Sequence, residues 1–137
     1  MKTILIIIFL LIFSSKTHSQ PTWSIQNSGT TNNLNRIILK TSNNVQMLYI
    51  AGNNGTILRS SNLGLLWETV NSNTNSNLYS LEISDNDTGY AVGSGGTVLR
   101  TVDGGNTWSA MTSNTTNSLK EISILPGSGK AIAVGEN

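Results

Sequence analysis

The sequence predicts an all-β fold: a fragment of a β-propeller made of four-stranded antiparallel blades. Residues 49–67 and 90–108 align without a gap at a spacing of 41 residues. Short segments with alternating apolar residues flank this repeat, and turns rich in Gly, Asn and Ser separate them. Four short strands in each repeat of about 40–45 residues are the sequence signature of a propeller blade. About two and a half blades are present, so we expect a ring that is not closed.

The repeat also predicts where each blade begins and ends. Blades are expected at about residues 34–70, 78–111 and 119–137, and the third stops after its second strand. The first strand of each blade carries apolar residues at alternating positions, which indicates one buried face. These residues are Ile37 and Leu39, Leu81 and Ile83, and Ile122 and Ile124.

A stray outer strand is predicted at residues 23–29. This segment resembles the residues that begin at Trp67 and at Trp108, which are the fourth strands of the two complete repeats. In a closed propeller, such a strand completes the last blade and joins the two ends of the chain. We therefore expect the remaining blades in a longer chain.

The first 19 residues have the order of a secretory signal peptide. A basic start at Lys2 precedes an apolar run from Ile4 to Phe13, and a polar segment follows. Cleavage is predicted after Ser19, which leaves residues 20–137 as the propeller domain; an uncleaved anchor is the alternative. The apolar run is too short for a transmembrane helix, so no stable membrane span is expected in the mature chain. The predicted location is secreted, periplasmic or at the cell surface.

Charge and composition exclude several classes of function. Without Lys2 and Lys16, six basic residues stand against seven acidic ones, so no basic surface for nucleic acid is expected. The chain has no cysteine, and His18, its one histidine, leaves with the leader. Disulfides, thiolate metal sites and histidine metal sites are therefore not expected, and no cofactor is predicted.

A turn motif recurs once in each complete repeat. It follows the Asp-box pattern Ser/Thr-x-Asp-x-Gly-x-x-aromatic, with Asn in place of Asp in the first copy. The acid or amide accepts backbone N–H groups, the glycine permits a positive φ, and the tryptophan packs over the hairpin. We predict a structural role, with ligand contact as the alternative, because a catalytic acid need occur only once. The residues are Ser60, Asn62, Gly64 and Trp67, and Thr101, Asp103, Gly105 and Trp108.

The run G-x-x-G-T-[IV]-L-R-[ST]-x-[DN]-x-G-x-x-W occupies residues 52–67 and 93–108. It resembles the repeats of the photosystem II stability/assembly factor-like proteins, within the wider Asp-box propeller superfamily. The resemblance covers residues 23–137. It implies a seven-bladed propeller that binds proteins and does not catalyse, here an exported scaffold for a protein or cell-surface ligand. Similar repeats occur in exported bacterial proteins without a photosynthetic link, so a photosynthetic role does not follow.

The alternative function is a fragment of an Asp-box glycoside hydrolase of sialidase or endoglucanase type. Sialidases need three converging arginines, but the mature chain has only Arg36, Arg59 and Arg100, of which the last two are equivalent repeat positions. Glycosidases also need two carboxylates at a defined separation, and no such pair is visible. Catalytic residues would have to lie in missing blades, so none is assigned.

Arg59 and Arg100 recur at one point of the third strand and have two interpretations. Repeated arginines on one side of a ring can recognise acidic protein segments through paired N–H donors. Alternatively, each packs its stem between blades and pairs locally with the Asp-box region. Both interpretations stay open at the level of the sequence.

Overall fold

The computed structural model describes residues 4–5, 23–42, 44–84, 87–128 and 130–137. Apart from the backbone of residues 4–5, the predicted signal peptide at residues 1–19 lies outside the described residues. Within the described ranges the chain is almost entirely β-structure, with one short 3₁₀ turn at Ser94–Gly96. The predicted all-β class is confirmed.

Two sheets have four antiparallel strands in chain order, as a propeller blade requires. The strands of the first blade are β3 (Leu34–Ser42), β4 (Val45–Gly52), β5 (Ile57–Ser60) and β6 (Glu68–Val70). Those of the second blade are β7 (Leu78–Ile83), β8 (Gly89–Gly93), β9 (Val98–Thr101) and β10 (Ser109–Met111).

The third sheet has two strands in the described part of the chain, β11 (Leu119–Leu125) and β12 (Lys130–Gly135). Its register repeats that of the second blade, because Leu119 pairs with Gly135 as Leu78 pairs with Gly93. The described sheets therefore form an open stack of blades, and the predicted propeller fragment with an unclosed ring is confirmed.

The predicted outer strand contributes only β2 (Ile25–Gln26). It pairs antiparallel with β1 (Ile4–Leu5) in a two-stranded sheet of its own. The segment after β2 is attached to the first blade, since the Asn32 side chain donates to the Thr56 hydroxyl at 2.8 Å. The strand thus precedes the first blade in the same way that β6 precedes the second.

The main core lies between the first and second blades. We call the side of a blade that faces the next blade its forward face, and the other side its back face. The forward face of the first blade contributes Tyr49, Ala51, Ile57 and Val70. The back face of the second blade contributes Leu78, Leu81, Ile83, Ala91, Leu99 and Trp108. Since burial of apolar area drives this contact, neighbouring blades stabilise each other.

In the described part of the chain, no blade packs on the back face of the first blade. Leu81 and Ile83 of the second blade are 0% and 7% exposed beneath the first blade. Their equivalents Ile37 and Leu39 are 46% and 53% exposed. Equivalent positions in the repeat therefore differ in burial, because a neighbouring blade covers only those of the second blade in the described structure.

The turns between second and third strands are covered by the loops that join successive blades. Gly96 lies against the loop after β10, where an added Cβ would stand 1.9 Å from the Thr115 carbonyl oxygen. Gly55 of the first blade lies equally close to the Thr74 carbonyl oxygen. Both glycines have positive φ, at 70° and 67°. These positions hold each blade to the loop that leads into the next.

Candidate functional site

The Asp-box turn of the second blade is held by its own side chains. The Thr101 hydroxyl accepts the N–H of Gly105 at 2.9 Å and donates to Asp103 Oδ1 at 2.8 Å. Asp103 Oδ1 also accepts the Thr107 N–H at 2.9 Å, and Oδ2 accepts the Thr107 hydroxyl at 2.7 Å. The carboxylate therefore closes the turn as a hydrogen-bond acceptor.

These bonds change the acidity of Asp103. Hydrogen bonds lower its pKa from the ordinary 3.8 to about 2. The largest effect comes from the Thr107 hydroxyl, and smaller ones come from the Thr107 N–H and the Thr101 hydroxyl. The group thus stays ionised at neutral and mildly acidic pH, where a general acid would have to carry a proton.

Asp103→Asn should weaken the acid dependence of stability. A carboxyl whose pKa is lower in the folded state stabilises the fold above its unfolded pKa of 3.8 and loses that effect as the pH falls towards about 2. We expect the free energy of unfolding to fall more steeply between pH 4 and pH 2 in the parent chain than in the variant. Urea unfolding across this range measures the difference, and equal slopes would contradict the assignment.

The first blade repeats this turn with an amide. The Ser60 hydroxyl donates to Asn62 Oδ1 and accepts the Gly64 N–H, both at 2.9 Å. Asn62 Oδ1 accepts the Leu66 N–H, again at 2.9 Å. Leu66 has no hydroxyl to match that of Thr107, so the amide makes one bond fewer than the carboxylate of Asp103.

The two Asp-box tryptophans lie in different surroundings. Trp108 is 3% exposed within the core between the first and second blades. Trp67 is half-buried and packs against Ile50 and Leu58 on the open back face of the first blade. Both indole N–H groups are buried without a hydrogen-bond partner among the described residues. Their contribution is therefore apolar packing.

The Asp-box turn of the second blade contacts Tyr49 and Arg59 of the first blade. These two residues are cross-strand neighbours on β4 and β5. The Tyr49 hydroxyl donates to the Gly104 carbonyl oxygen at 2.6 Å, and burial raises the pKa of this phenol, so it stays protonated. The ring lies against Gly105, where an added Cβ would be 2.8 Å from Cε1. Only glycine fits at that point. We call this Tyr–Arg pair the seat of the first blade.

Arg59 completes the seat through two side-chain contacts. Its Nε donates to Glu68 Oε2 at 3.0 Å, and its terminal nitrogen donates to the Asn106 side-chain oxygen. An ion pair between Lys40 and Asp87 lies in the same groove between the blades. Arg59 is therefore bound both within its own blade and to the Asp-box turn of the second blade.

Arg100 has the same position in the second blade but different surroundings. It pairs across strands with Tyr90 as Arg59 pairs with Tyr49. Its exposed side chain has no ion pair or hydrogen bond among the described residues, since Ser109 stands where the first blade has Glu68. The structure therefore does not bring the two arginines into one site.

Tyr90 and Arg100 line an open groove of about 690 Å³ between the second and third blades. Glu82 forms part of its wall and accepts the Ile124 N–H at 2.7 Å, which ties the two blades together. The other lining residues are Ile83, Ser84, Thr88, Ile124, Leu125, Pro126 and Gly127. The seat of the second blade, Tyr90 with Arg100, is therefore accessible, whereas that of the first is filled.

The carboxylates of the described residues hold structural contacts, and no cluster of three metal-ligating residues occurs among them. In addition to the carboxylate contacts already described, Glu121 accepts a hydrogen bond from the Ser80 hydroxyl at 2.5 Å and forms an ion pair with Arg36 at 3.5 Å. Glu136 pairs with Lys120 at 2.9 Å. In the same part of the chain, no helix has the length and apolar character needed to cross a bilayer.

Sequence reasoning missed Tyr49 and Tyr90 as site residues. Each tyrosine stands ten residues before the repeated arginine, and this fixed spacing was the available signal. The chemistry of the pair depends on the blade beside it, because the atoms of the second blade that Tyr49 and Arg59 bind lie 47 to 55 residues further along the chain.

The fold and the repeated seats define the chain as an Asp-box β-propeller protein. The family model described as photosynthesis system II assembly factor YCF48 matches residues 10–102, which is more than half of the sequence. The chain belongs to this family, and the predicted resemblance is confirmed. No curated protein sequence matches the chain.

Two solved structures share the fold. YCF48 from Cyanidioschyzon merolae is 20% identical, with a TM-score of 0.67 over 82% of this chain and 38% of that chain. A structure of YCF48 bound to D1 peptide is 18% identical, with a TM-score of 0.67 over 87% of this chain and 39% of that chain. The present chain thus spans less than two fifths of either.

Proposed function

We propose that this chain is an exported, non-catalytic propeller module that binds a polypeptide segment of a protein partner in the groove between the second and third blades. The observation that carries this proposal is the repeat of the seat. Tyr49 and Arg59 hold a polypeptide turn, and Tyr90 with Arg100 presents the same groups in an open groove. A related propeller that is bound to D1 peptide supports a protein partner.

The groove has the groups that polypeptide recognition needs. A tyrosine hydroxyl donates to a backbone carbonyl, and a guanidinium donates to a side-chain or terminal carboxylate or to an amide oxygen. Arg100 is exposed and free of an ion pair among the described residues, so binding an acid there breaks no existing bridge. Acidic segments are therefore the expected partners, as hydrogen bonds to a charged group are the stronger ones.

Arg100→Ala should weaken binding of acidic segments. A suitable probe is a fluorescein-labelled decapeptide of Glu and Ser, with its Gln-for-Glu version as a neutral control. Loss of one charge-assisted bond of about 1.5–3 kcal/mol corresponds to roughly a 10- to 150-fold higher Kd for the acidic decapeptide. Fluorescence anisotropy measures the Kd of the labelled peptide for the parent chain and the variant.

Arg59→Ala is the matched control variant, because Arg59 is already bound to Glu68 and Asn106. It should leave the affinity for the acidic decapeptide unchanged. Equal loss of binding in both variants, or no binding of this peptide by the parent chain, would contradict the proposed function.

Export is part of the proposed function and is tested separately from binding. It is supported by the basic start, the apolar run from Ile4 to Phe13 and the polar segment that precedes Gln20. Mass spectrometry of the secreted product should give an N-terminus near Gln20. A mature protein that retains the apolar run would contradict secretion by cleavage.

A further inference from the structure

We infer that the Asp-box turn of the first blade inserts its leucines into the surface of a lipid bilayer, so that one end of the propeller lies against a membrane. The leucines are Leu63, Leu65 and Leu66, and we call this segment the leucine turn. They are 41%, 68% and 72% exposed. This site is separate from the groove of Tyr90 and Arg100, and the inference goes beyond the proposed function.

The leucine turn differs from the matching turn of the second blade at three positions. The second blade has Gly, Asn and Thr there, at positions 104, 106 and 107. Leu63 has φ of 58°, a left-handed backbone conformation that is unfavourable for leucine and unstrained for glycine. Leu66 lacks the hydroxyl that Thr107 donates to the Asp-box carboxylate. The first blade therefore carries apolar side chains where the repeat shows that small or polar residues make a better-bonded turn.

The exposure of Leu65 and Leu66 does not depend on whether a blade covers the back face of the first blade. Their equivalents Asn106 and Thr107 are exposed, although the first blade packs on the back face of the second. The tip of an Asp-box turn therefore faces solvent even where the blade is packed against its neighbour.

The two ends of the first two blades differ in polarity. Because successive strands are antiparallel, the turns after the first and third strands of each blade lie at one end, which we call the Asp-box end. Besides the leucine turn, this end exposes Val45 at 57% and Val102 at 61%. Only Asn, Ser, Thr and Gly occur in the turns and loops at the opposite end, residues 53–55, 71–77, 94–96 and 112–118. An apolar partner surface is therefore expected at the Asp-box end alone.

Two features favour a bilayer over a protein as the occupant. The N–H groups of Gly64 and Leu66 donate to the Ser60 hydroxyl and to Asn62 Oδ1, both at 2.9 Å. The Leu65 N–H donates to the Asn62 carbonyl oxygen at 3.4 Å. A turn whose donors are bonded internally can leave water without the cost of unpaired N–H groups. A stable protein interface uses roughly 20–30 residues a side, far more than one turn supplies.

The charge of the leucine turn indicates which kind of bilayer it fits. No charged side chain occurs between Ser60 and Trp67, and at the base of the turn Arg59 is paired with Glu68. Insertion by apolar burial depends little on ionic strength, unlike the attraction of a basic surface to anionic lipid. A bilayer of neutral phosphatidylcholine is therefore a sufficient target.

The test places an environment-sensitive label on the leucine turn. Since the chain has no cysteine, Ser61→Cys gives a unique site for an NBD label beside the leucines. Phosphatidylcholine vesicles should raise the emission of this label at least about twofold, because the label leaves water with the turn. Addition of about 1 M NaCl should leave the rise unchanged. The label reports the turn itself, so the result does not depend on whether residues 1–19 are present.

A triple variant of the labelled chain separates insertion from folding. Leu63→Gly, Leu65→Asn and Leu66→Thr give the first blade the turn residues of the second. Because glycine relieves the strain of the positive φ, this variant should unfold at a temperature no lower than the parent does. Most of the emission rise should nevertheless be lost, since the apolar side chains are gone. Met111→Ser removes an exposed apolar side chain outside this turn and should leave the rise unchanged.

A label at the opposite end, on Thr116→Cys, should show no rise with vesicles. No rise at the label on the leucine turn, or an equal rise in the triple variant or at position 116, would show that the inference is wrong. A rise without lipid that grows with protein concentration would identify a second copy of the chain as the occupant and would also overturn it. The proposed function is tested separately, because peptide binding that depends on Arg100 involves none of these leucines.

Discussion

Trp108→Ala is expected to lower the free energy of unfolding by about 3–5 kcal/mol, the usual cost of removing a large buried aromatic side chain. The indole is 3% exposed and belongs to the core that joins the first two blades, which also contains Tyr49 and Leu81. Its removal leaves a cavity at the contact on which both blades depend. Urea unfolding followed by circular dichroism measures the loss.

Two variants control this result. Trp108→Phe retains most of the apolar volume and gives up an N–H that has no partner in the described structure, so it should cost less than about 2 kcal/mol. Trp67→Ala removes the equivalent but half-buried ring and should cost about 1–2 kcal/mol. Equal losses at Trp67 and Trp108 would show that the first blade does not bury the second as described.

Gly96→Ala is expected to destabilise the chain by about 2–4 kcal/mol, which combines left-handed backbone strain with a steric collision. The residue has φ of 70°, and its added Cβ would stand 1.9 Å from the Thr115 carbonyl oxygen. Because that oxygen belongs to the backbone of the next loop, relief requires the loop to move away from the turn.

Gly95→Ala is the matched control, since this neighbour has φ of 63° and nothing within 4 Å of an added Cβ. It should cost only the backbone strain, about 1–2 kcal/mol. The first blade has a side chain at the position equivalent to Gly95, where Asn54 stands, and glycine at the position equivalent to Gly96, where Gly55 stands. A similar midpoint shift on thermal unfolding for both variants would contradict the close contact at Gly96.

Much of the fold could be predicted because its information is local and repeated. Alternation at Leu81 and Ile83 predicts a strand with one buried face, and the structure buries both residues. The Asp-box pattern predicts bonds that span at most four residues, such as those from Thr107 to Asp103. Short-range periodicity and turn chemistry are visible in a single sequence, since the interacting groups lie side by side along the chain.

The site could be predicted only in part. The sequence by itself determined the blade repeat, the turn residues and the equivalence of Arg59 and Arg100. Only the tertiary structure decided that Tyr49 and Arg59 are bound to the next blade, whereas Tyr90 and Arg100 line an open groove. The physical reason is that the seat of the first blade is completed by atoms of the neighbouring blade. A repeat therefore predicts which groups a blade offers, and packing between blades decides which of them remain free.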